Sequence, residues 1–207
     1  MLFYTFVFSI VIPPWKDPRI HNFGNHGVSG FVHALVAQPA TKIIDLLAYN
    51  NINVRNILHT EDSVDLGCGV GLSTSPGQIG VDSSKEMLQI AKYLHPSCKF
   101  YRGLAEKWGS ENMTKCVSIS FMLHEQDRNR RIKILKNAYR ICKNYILIMD
   151  IHPSYKPSEL MKTGEPYISN YLNNIETEIL YLFEKVNKTE LISDRVIMWN
   201  ITKSSHA

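Results

Sequence analysis

The residues best placed for chemistry are Val64-Asp65-Leu66-Gly67-Cys68-Gly69-Val70-Gly71, an apolar strand running into three glycines at alternate positions. Without Cβ atoms, such a turn can be tight and can bring bare backbone close to a ligand. Eleven residues past Gly71, Asp82 closes a second short apolar strand, Ile79-Gly80-Val81. A carboxylate at that strand end can accept hydrogen bonds from the two hydroxyls of a ribose. Together these features describe a pocket for a nucleoside-bearing cofactor at the carboxyl edge of a parallel sheet.

The glycine spacing separates two kinds of cofactor. Dinucleotide sites use Gly-x-Gly-x-x-Gly, whereas this chain has Gly-x-Gly-x-Gly with Asp65 two positions ahead of it. A pyrophosphate seeks a helix N-terminus and backbone amides, and the Asp65 carboxylate would repel it. A nucleoside bearing a cationic amino-acid headgroup is favoured instead. S-adenosylmethionine (SAM), with an ammonium, a sulfonium, a ribose and no phosphate, fits that description; a nicotinamide oxidoreductase does not.

The segments VDLGCGVG, GVDSSKEMLQIAK, GLAEKWG, FMLHEQ and YILIMDI, in that order over residues 60–151, resemble the successive motifs of the class I SAM-dependent methyltransferases. The nearest flavour is the small-molecule group that includes quinone-biosynthesis enzymes. A structural turn in some other α/β protein would account for the glycines, but not for Asp82 or for the ordered motifs. The resemblance implies an α/β fold: a Rossmann-like three-layer sandwich around a mostly parallel seven-stranded sheet with an antiparallel last strand. It implies that Asp65 holds the methionine end of SAM and that the backbones of Gly67, Cys68, Gly69 and Gly71 line its path. Asp82 would take the ribose, while Ser83, Met87, Ala105, Glu106 and Phe121 complete the cofactor site, with Met87 against the adenine. Core packing accounts for Met87 equally well. Relatives carry an acidic or amide side chain where this chain has Leu104, so one adenine contact worth about 1 kcal/mol is expected to be missing. Lys115, where many relatives have an aspartate, reads as surface.

Methyl transfer from a sulfonium depends on holding the acceptor atom in line, and positioning alone supplies about 7–11 kcal/mol at its best. A base is needed only where the acceptor must lose a proton. His124 and Glu125 follow the fourth strand, at the sheet edge where relatives place the acceptor. His124 is the first candidate base by its unperturbed pKa and Glu125 the second; packing at the strand–helix junction is the other reading of His124. The acceptor, a small molecule, is expected in a pocket made by the 16–30 loop and by the long connection after the fifth strand. That connection carries Asp150-Ile151-His152-Pro153, Gly164-Glu165-Pro166-Tyr167 and Tyr171. Tyr167 and Tyr171 stand at i, i+4 spacing and read equally as one packed helix face. The loop reads equally as an N-terminal connector.

The elements that must position these groups follow from periodicity. A helix is predicted over 31–49, with Pro39 as a kink or as the first residue of a second helix. Its later part would place Ile43, Ile44, Leu47 and Ala48 on one face. Strands are predicted at Ser63–Leu66, 79–82, Lys99–Arg102, 116–121 and 145–151, and a helix at 168–186. A final pair of strands, 189–192 and 195–202, turns at Ser193-Asp194. Ser83 or Ser84 caps the helix that carries Met87, Ala91 and Leu94, and Ser83 with Glu86 has capping-box spacing. Residues 72–78, where relatives have a helix of several turns, leave room for little more than one turn.

At 207 residues the chain is long enough for one full core. It divides into an apolar segment, 1–15, and a single domain, 16–207. Residues 127–143 carry seven Lys/Arg against one Asp, and with Ile132, Leu135, Ala138, Tyr139 and Cys142 at helical spacing they read as an amphipathic helix with a basic outer face. The one aromatic residue there, Tyr139, belongs to the apolar face, and no series of aromatics interleaves with those charges to stack bases, so a nucleic-acid partner is not expected. Cys68, Cys98, Cys116 and Cys142 show no Cys-x-x-Cys, which points to reduced thiols and a cytoplasmic or other reducing compartment. The histidines form no metal-ligand spacing, so no metal is expected. Residues 2–12 would reach about 18 Å as a helix, short of the roughly 30 Å hydrocarbon core. They read as the stub of a signal anchor, as an interfacial segment in weak contact with a membrane, or as a strand or helix packed on the domain. The competing function is a SAM-binding or interaction protein that keeps this fold without catalysis. Protein acceptors stay open, and nothing in the sequence bears on oligomeric state.

Overall fold

A computed structural model of the chain describes residues 27–49, 51–58 and 62–203. Residues 1–15 and most of the 16–30 loop therefore lie outside the described residues. Seven strands form one sheet: β1 (Ser63–Leu66), β2 (Ile79–Asp82), β3 (Lys99–Arg102), β4 (Thr114–Ser120), β5 (Cys142–Ile151), β6 (Val186–Ile192) and β7 (Val196–Thr202), in the order β3-β2-β1-β4-β5-β7-β6. The first five pair in parallel; β7 is antiparallel to both β5 and β6. The expected mostly parallel sheet with an antiparallel last strand is what forms.

Both faces of the sheet are covered, and β5 shows why its run of apolar residues is continuous. Ile146 and Ile148 point to one face, with Ile134, Leu135, Ala138 and Ile141 of α3 (Arg128–Ile141) and Ile175 and Ile179 of α5 (Ile168–Leu182). Leu147 and Met149 point to the other, with Val54 and Leu58 of a 3-10 helix, Val54–Leu58. A strand buried on both faces reads apolar throughout rather than alternating. The remaining helices are α1 (Gly27–Ala48), α2 (Lys85–Leu94) and α4 (Glu159–Gly164).

Four sequence expectations change. First, Pro39 does not open a separate helix, since α1 continues through it. The hydrogen bond that proline removes would have gone to Leu35, which is 53 % exposed, so water can serve that carbonyl instead. Second, Ile43 and Leu47 do not face a core; they are 55 % and 77 % exposed. Among the described residues, α1 is also the one helix long and apolar enough to cross a membrane. Third, no helix forms between β1 and β2; residues 67–78 cross over as a series of turns. Buried polar side chains brace that crossover: Thr74 Oγ1 donates to Asp65 Oδ2 at 2.7 Å, and Gln78 Oε1 accepts from the Ser75 N–H at 2.6 Å. Fourth, the basic face of α3 is partly turned inward. Arg131 is wholly buried and grips Glu178 through two hydrogen bonds of 2.8 and 2.9 Å. The capping ambiguity is also resolved: Ser84 is the N-cap of α2 and its Oγ accepts from Met87 N. All four cysteines are free.

Candidate functional site

The glycine turn is fastened to the end of β2 by backbone and side chain together. Gly67 and Cys68 donate their N–H groups to the Val81 carbonyl at 2.8 and 3.1 Å. The Asp82 carboxylate accepts from Gly69 N through Oδ2 at 2.9 Å and from Ser84 N through Oδ1 at 2.8 Å. One aspartate thus ties the turn to the start of α2. The Asp82 carboxylate also lines the cavity.

Two glycines are required for different reasons. Gly67 has φ +74°, and a Cβ there would stand 2.6 Å from Met122 Cγ. Gly69 has φ +54°, and a Cβ there would meet nothing within 4 Å. The space beside Gly69 is the cavity itself, so this is where backbone can approach a ligand.

The cavity, about 210 Å³, is lined by Gly67, Cys68 and Gly69, by Asp82, Ser83 and Met87, and by Gly103 through Glu106. Phe121, Glu125, Arg55 and His33 line it as well. The expected cofactor residues Gly67, Cys68, Gly69, Asp82, Ser83, Met87, Ala105, Glu106 and Phe121 are thus brought together. Asp65 and Gly71 do not line the cavity. Asp65 is fully buried beneath the turn, where burial pushes its carboxyl up to about 6 despite the Thr74 hydrogen bond, and its Oδ1 has no hydrogen-bond partner among the described residues. Gly71 packs behind the turn against His95 and Phe100. Leu104 stands in the wall, and Lys115 is exposed at the start of β4, as read from the sequence.

His124 and Glu125 occupy a 3-10 turn, Leu123–Glu125, directly after β4. Asp150, near the end of β5, fixes this turn: Oδ2 accepts from the N–H groups of Leu123 and His124 at 2.9 and 3.3 Å, and Oδ1 lies 2.6 Å from His124 Nδ1. Tyr171 stands edge-on to the imidazole, and Arg131 donates to the Gln126 carbonyl at 2.8 Å from behind. Burial opposes charge on His124, but Asp150, Glu125 and Glu165 outweigh it and hold the imidazolium up to about 9. Glu125 moves the other way from its usual range: burial, with Asp150 and Asp82 adding, raises it to about 7 against the pull of His124. Of the two, Glu125 lines the cavity and His124 does not.

The connection after β5 does not line the cavity. Tyr171 is buried behind His124 with its hydroxyl on the Ile151 carbonyl at 2.8 Å, and His152 pairs with Ser154 at 2.7 Å. His33 and Ala37 of α1 and Arg55 of the 3-10 helix line it instead. No motif marks these residues; they arrive by packing. The fold also assembles two groups absent from linear spacing: His124, Glu125 and Glu165, and, at the surface, His152, Glu190 and Asp194, each with ligand-type atoms within 4.8 Å of one another.

No family model and no curated protein sequence matches the chain. Solved structures do. A SAM-dependent methyltransferase from Thermotoga maritima, a possible histamine N-methyltransferase, is 17% identical with TM-score 0.59, covering 83% of this chain and 98% of its own. A SAM-dependent methyltransferase from Aquifex aeolicus is 13% identical with TM-score 0.57, over 78% and 92%. Magnesium protoporphyrin IX methyltransferase from Synechocystis PCC 6803, with bound SAM, is 14% identical with TM-score 0.52, over 98% and 96%. The chain has the class I SAM-dependent methyltransferase fold.

Proposed function

We infer that this protein is a SAM-dependent methyltransferase acting on a small-molecule acceptor. The observation that carries the reading is the Gly67–Gly69 cradle, fastened to Asp82, opening into the same cavity as Glu125. The residues present fit the cofactor: open space beside Gly69, a ribose-ready carboxylate at Asp82, and Met87, Ala105 and Glu106 along the adenine path. When bound, SAM supplies an electrophilic methyl group on a sulfonium that departs as a neutral thioether. Phe121 and Met122 close the apolar part of the wall and exclude water. Glu125 receives a proton where the acceptor must lose one. His124, paired with Asp150, holds the turn that carries Glu125 and keeps positive charge beside it.

Asp65 acts through the turn, by way of Thr74, instead of touching the methionine end directly. A SAM ammonium near the turn would favour its ionised form. The free thiols fit a reducing intracellular compartment. The exposed apolar side of α1 and the apolar residues 2–12 fit contact with a membrane surface.

A second reading, SAM binding without turnover, is favoured by one observation: the crossover after β1 has no helix to direct a dipole at the cofactor. The test is calorimetric titration of the full chain with SAM and S-adenosylhomocysteine, followed by a labelled-methyl screen of small acceptors. Micromolar binding with transfer supports the enzyme; binding with no transfer to any acceptor supports the second reading; no binding sinks both.

A further inference from the structure

Along α1 the usual sorting of side chains is reversed. A helix on a domain surface normally turns large apolar residues to the core and polar ones to water. The residues that α1 buries are small or polar: Gly30, Ala34 and Asp45. Positions 28, 31, 32, 35, 39, 43, 46 and 47 are exposed and all apolar, and steps of three and four keep them on one face. Val28 near the start is 80 % exposed and Leu46 near the end 60 %. Among the exposed positions of α1, Lys42 is the one charged side chain. Continuous bare apolar surface of this kind marks an interaction site.

The helix is fastened to the domain at both ends. Glu86 of α2 accepts from Gly27 N at 2.9 Å, and Asp45 stands 3.5 Å from Arg55. Between them Ala34 packs with Val70 and Met87, and Ala37 lines the cavity. α1 is thus held lengthwise over about 33 Å and meets a partner with its outer side only.

Charge and the neighbouring sequence identify that partner. Two protein helices that pair set their register with charged residues flanking a narrow apolar seam. Here apolar residues fill the face, and no acidic residue is exposed on α1. The chain ahead of it continues the pattern: residues 2–12 carry no charge and are joined to Gly27 by fourteen residues. From 1 to 44 the one acidic residue is Asp17, against Lys16, Arg19 and Lys42. Anionic lipid attracts an apolar helix face set in a basic, acid-poor stretch. Lys42 can lay its aliphatic stem along that face and keep its ammonium among the headgroups.

We propose that the outer face of α1 is a docking surface for an anionic lipid bilayer, with the helix lying in the plane of the interface. This rests on the reading of a membrane-contacting protein and not on the cofactor reading, so it holds whether or not the cavity binds SAM. Because His33 and Ala37 of the same helix line the cavity, docking sets the cavity against the membrane.

The test is flotation of the full chain with vesicles of phosphatidylcholine and phosphatidylglycerol. Wild type should float with them. The double variant Leu35→Glu/Ile43→Glu should bind about tenfold or more weakly, with Tm unchanged to show that it is folded. Tyr181→Glu, at an exposed site on α5, should float like wild type. In Phe31→Trp, vesicles should shift the added emission to the blue, and brominated phosphatidylcholine should quench it. Full flotation of the double variant would place the contact outside α1 and overturn the proposal, as would Phe31→Trp emission that vesicles leave unchanged. No flotation of wild type removes membrane contact altogether. A wild-type dimer that the double variant loses in sedimentation without lipid, with flotation of neither, would assign the face to a second copy of the chain.

Discussion

His124 Nδ1 lies 2.6 Å from Asp150 Oδ1, with both side chains out of solvent. The same carboxylate accepts the backbone N–H groups of Leu123, His124 and Ile151. One aspartate on β5 thus organises the turn after β4 and sets the charge of its histidine. The two strands are neighbours in the sheet, so the pair locks together the strand ends whose loops shape the cavity.

This pair makes stability depend on pH in a stated direction. The folded pKa of His124, about 9, lies above its ordinary 6.5. A group raised in this way stabilises the fold fully below its unfolded pKa and loses that contribution as pH rises through the folded one. Tm of the ligand-free protein should fall between pH 6.5 and 9, and His124→Gln should flatten the curve in that window. A wild-type curve already flat there would mean a neutral imidazole and a different hydrogen-bond tautomer.

Glu125 carries the opposite dependence in the rate. Its base form is populated above about 7, so turnover of an acceptor that loses a proton should rise with pH through that value. Glu125→Gln should lower kcat by about 10²–10⁴ while SAM affinity stays within about twofold. His124→Gln should cost less and shift the pH profile toward higher values, because the neighbouring positive charge that lowers the Glu125 pKa is gone. An unchanged rate in Glu125→Gln would return that carboxyl to a structural role.

The two cradle glycines should separate folding from binding. Gly67→Ala adds a Cβ into Met122 at positive φ and should lower Tm clearly. Gly69→Ala meets open space and should cost only about 1–2 kcal/mol for the left-handed backbone, yet abolish SAM binding. Calorimetry beside thermal melts distinguishes them; tight SAM binding by Gly69→Ala would place the cofactor elsewhere.

Asp82 is both clamp and ligand residue. Asp82→Ala removes two charge-assisted hydrogen bonds to backbone, worth about 1.5–3 kcal/mol each, so it should lose stability as well as cofactor affinity. Asp82→Asn keeps one acceptor oxygen and should retain more of the fold while still binding SAM weakly. If Asp82→Asn melts like wild type and binds SAM equally well, neither function belongs to the carboxylate.

Much of the cofactor side was legible in the chain. The Gly67–Gly71 turn, Asp82 at the end of β2, a serine cap for α2 and the positions of the strands along the chain follow from short-range rules: which residues tolerate positive φ, which side chains cap, and how apolar runs alternate. Those rules act over a few residues and leave marks in spacing. The acceptor side left no such marks. The connection after β5 read as the acceptor pocket, but Tyr171 packs inward and the connection does not line the cavity, whereas His33 and Arg55, brought from far away in the chain, do. Helix spacing likewise put Ile43 and Leu47 on one apolar face, yet both are exposed, because periodicity shows which residues share a face but not whether anything covers it.

The sequence by itself determined the glycine–aspartate cradle, the parallel sheet and the kind of cofactor they suit, since each depends on local backbone freedom and residue type. Only the tertiary structure decided the directions in which the His124 and Glu125 pKa values move and which distant residues share the cavity wall. A pKa is set by burial and by charges within a few ångströms, and Asp150 reaches His124 across two adjacent strands, not along the chain.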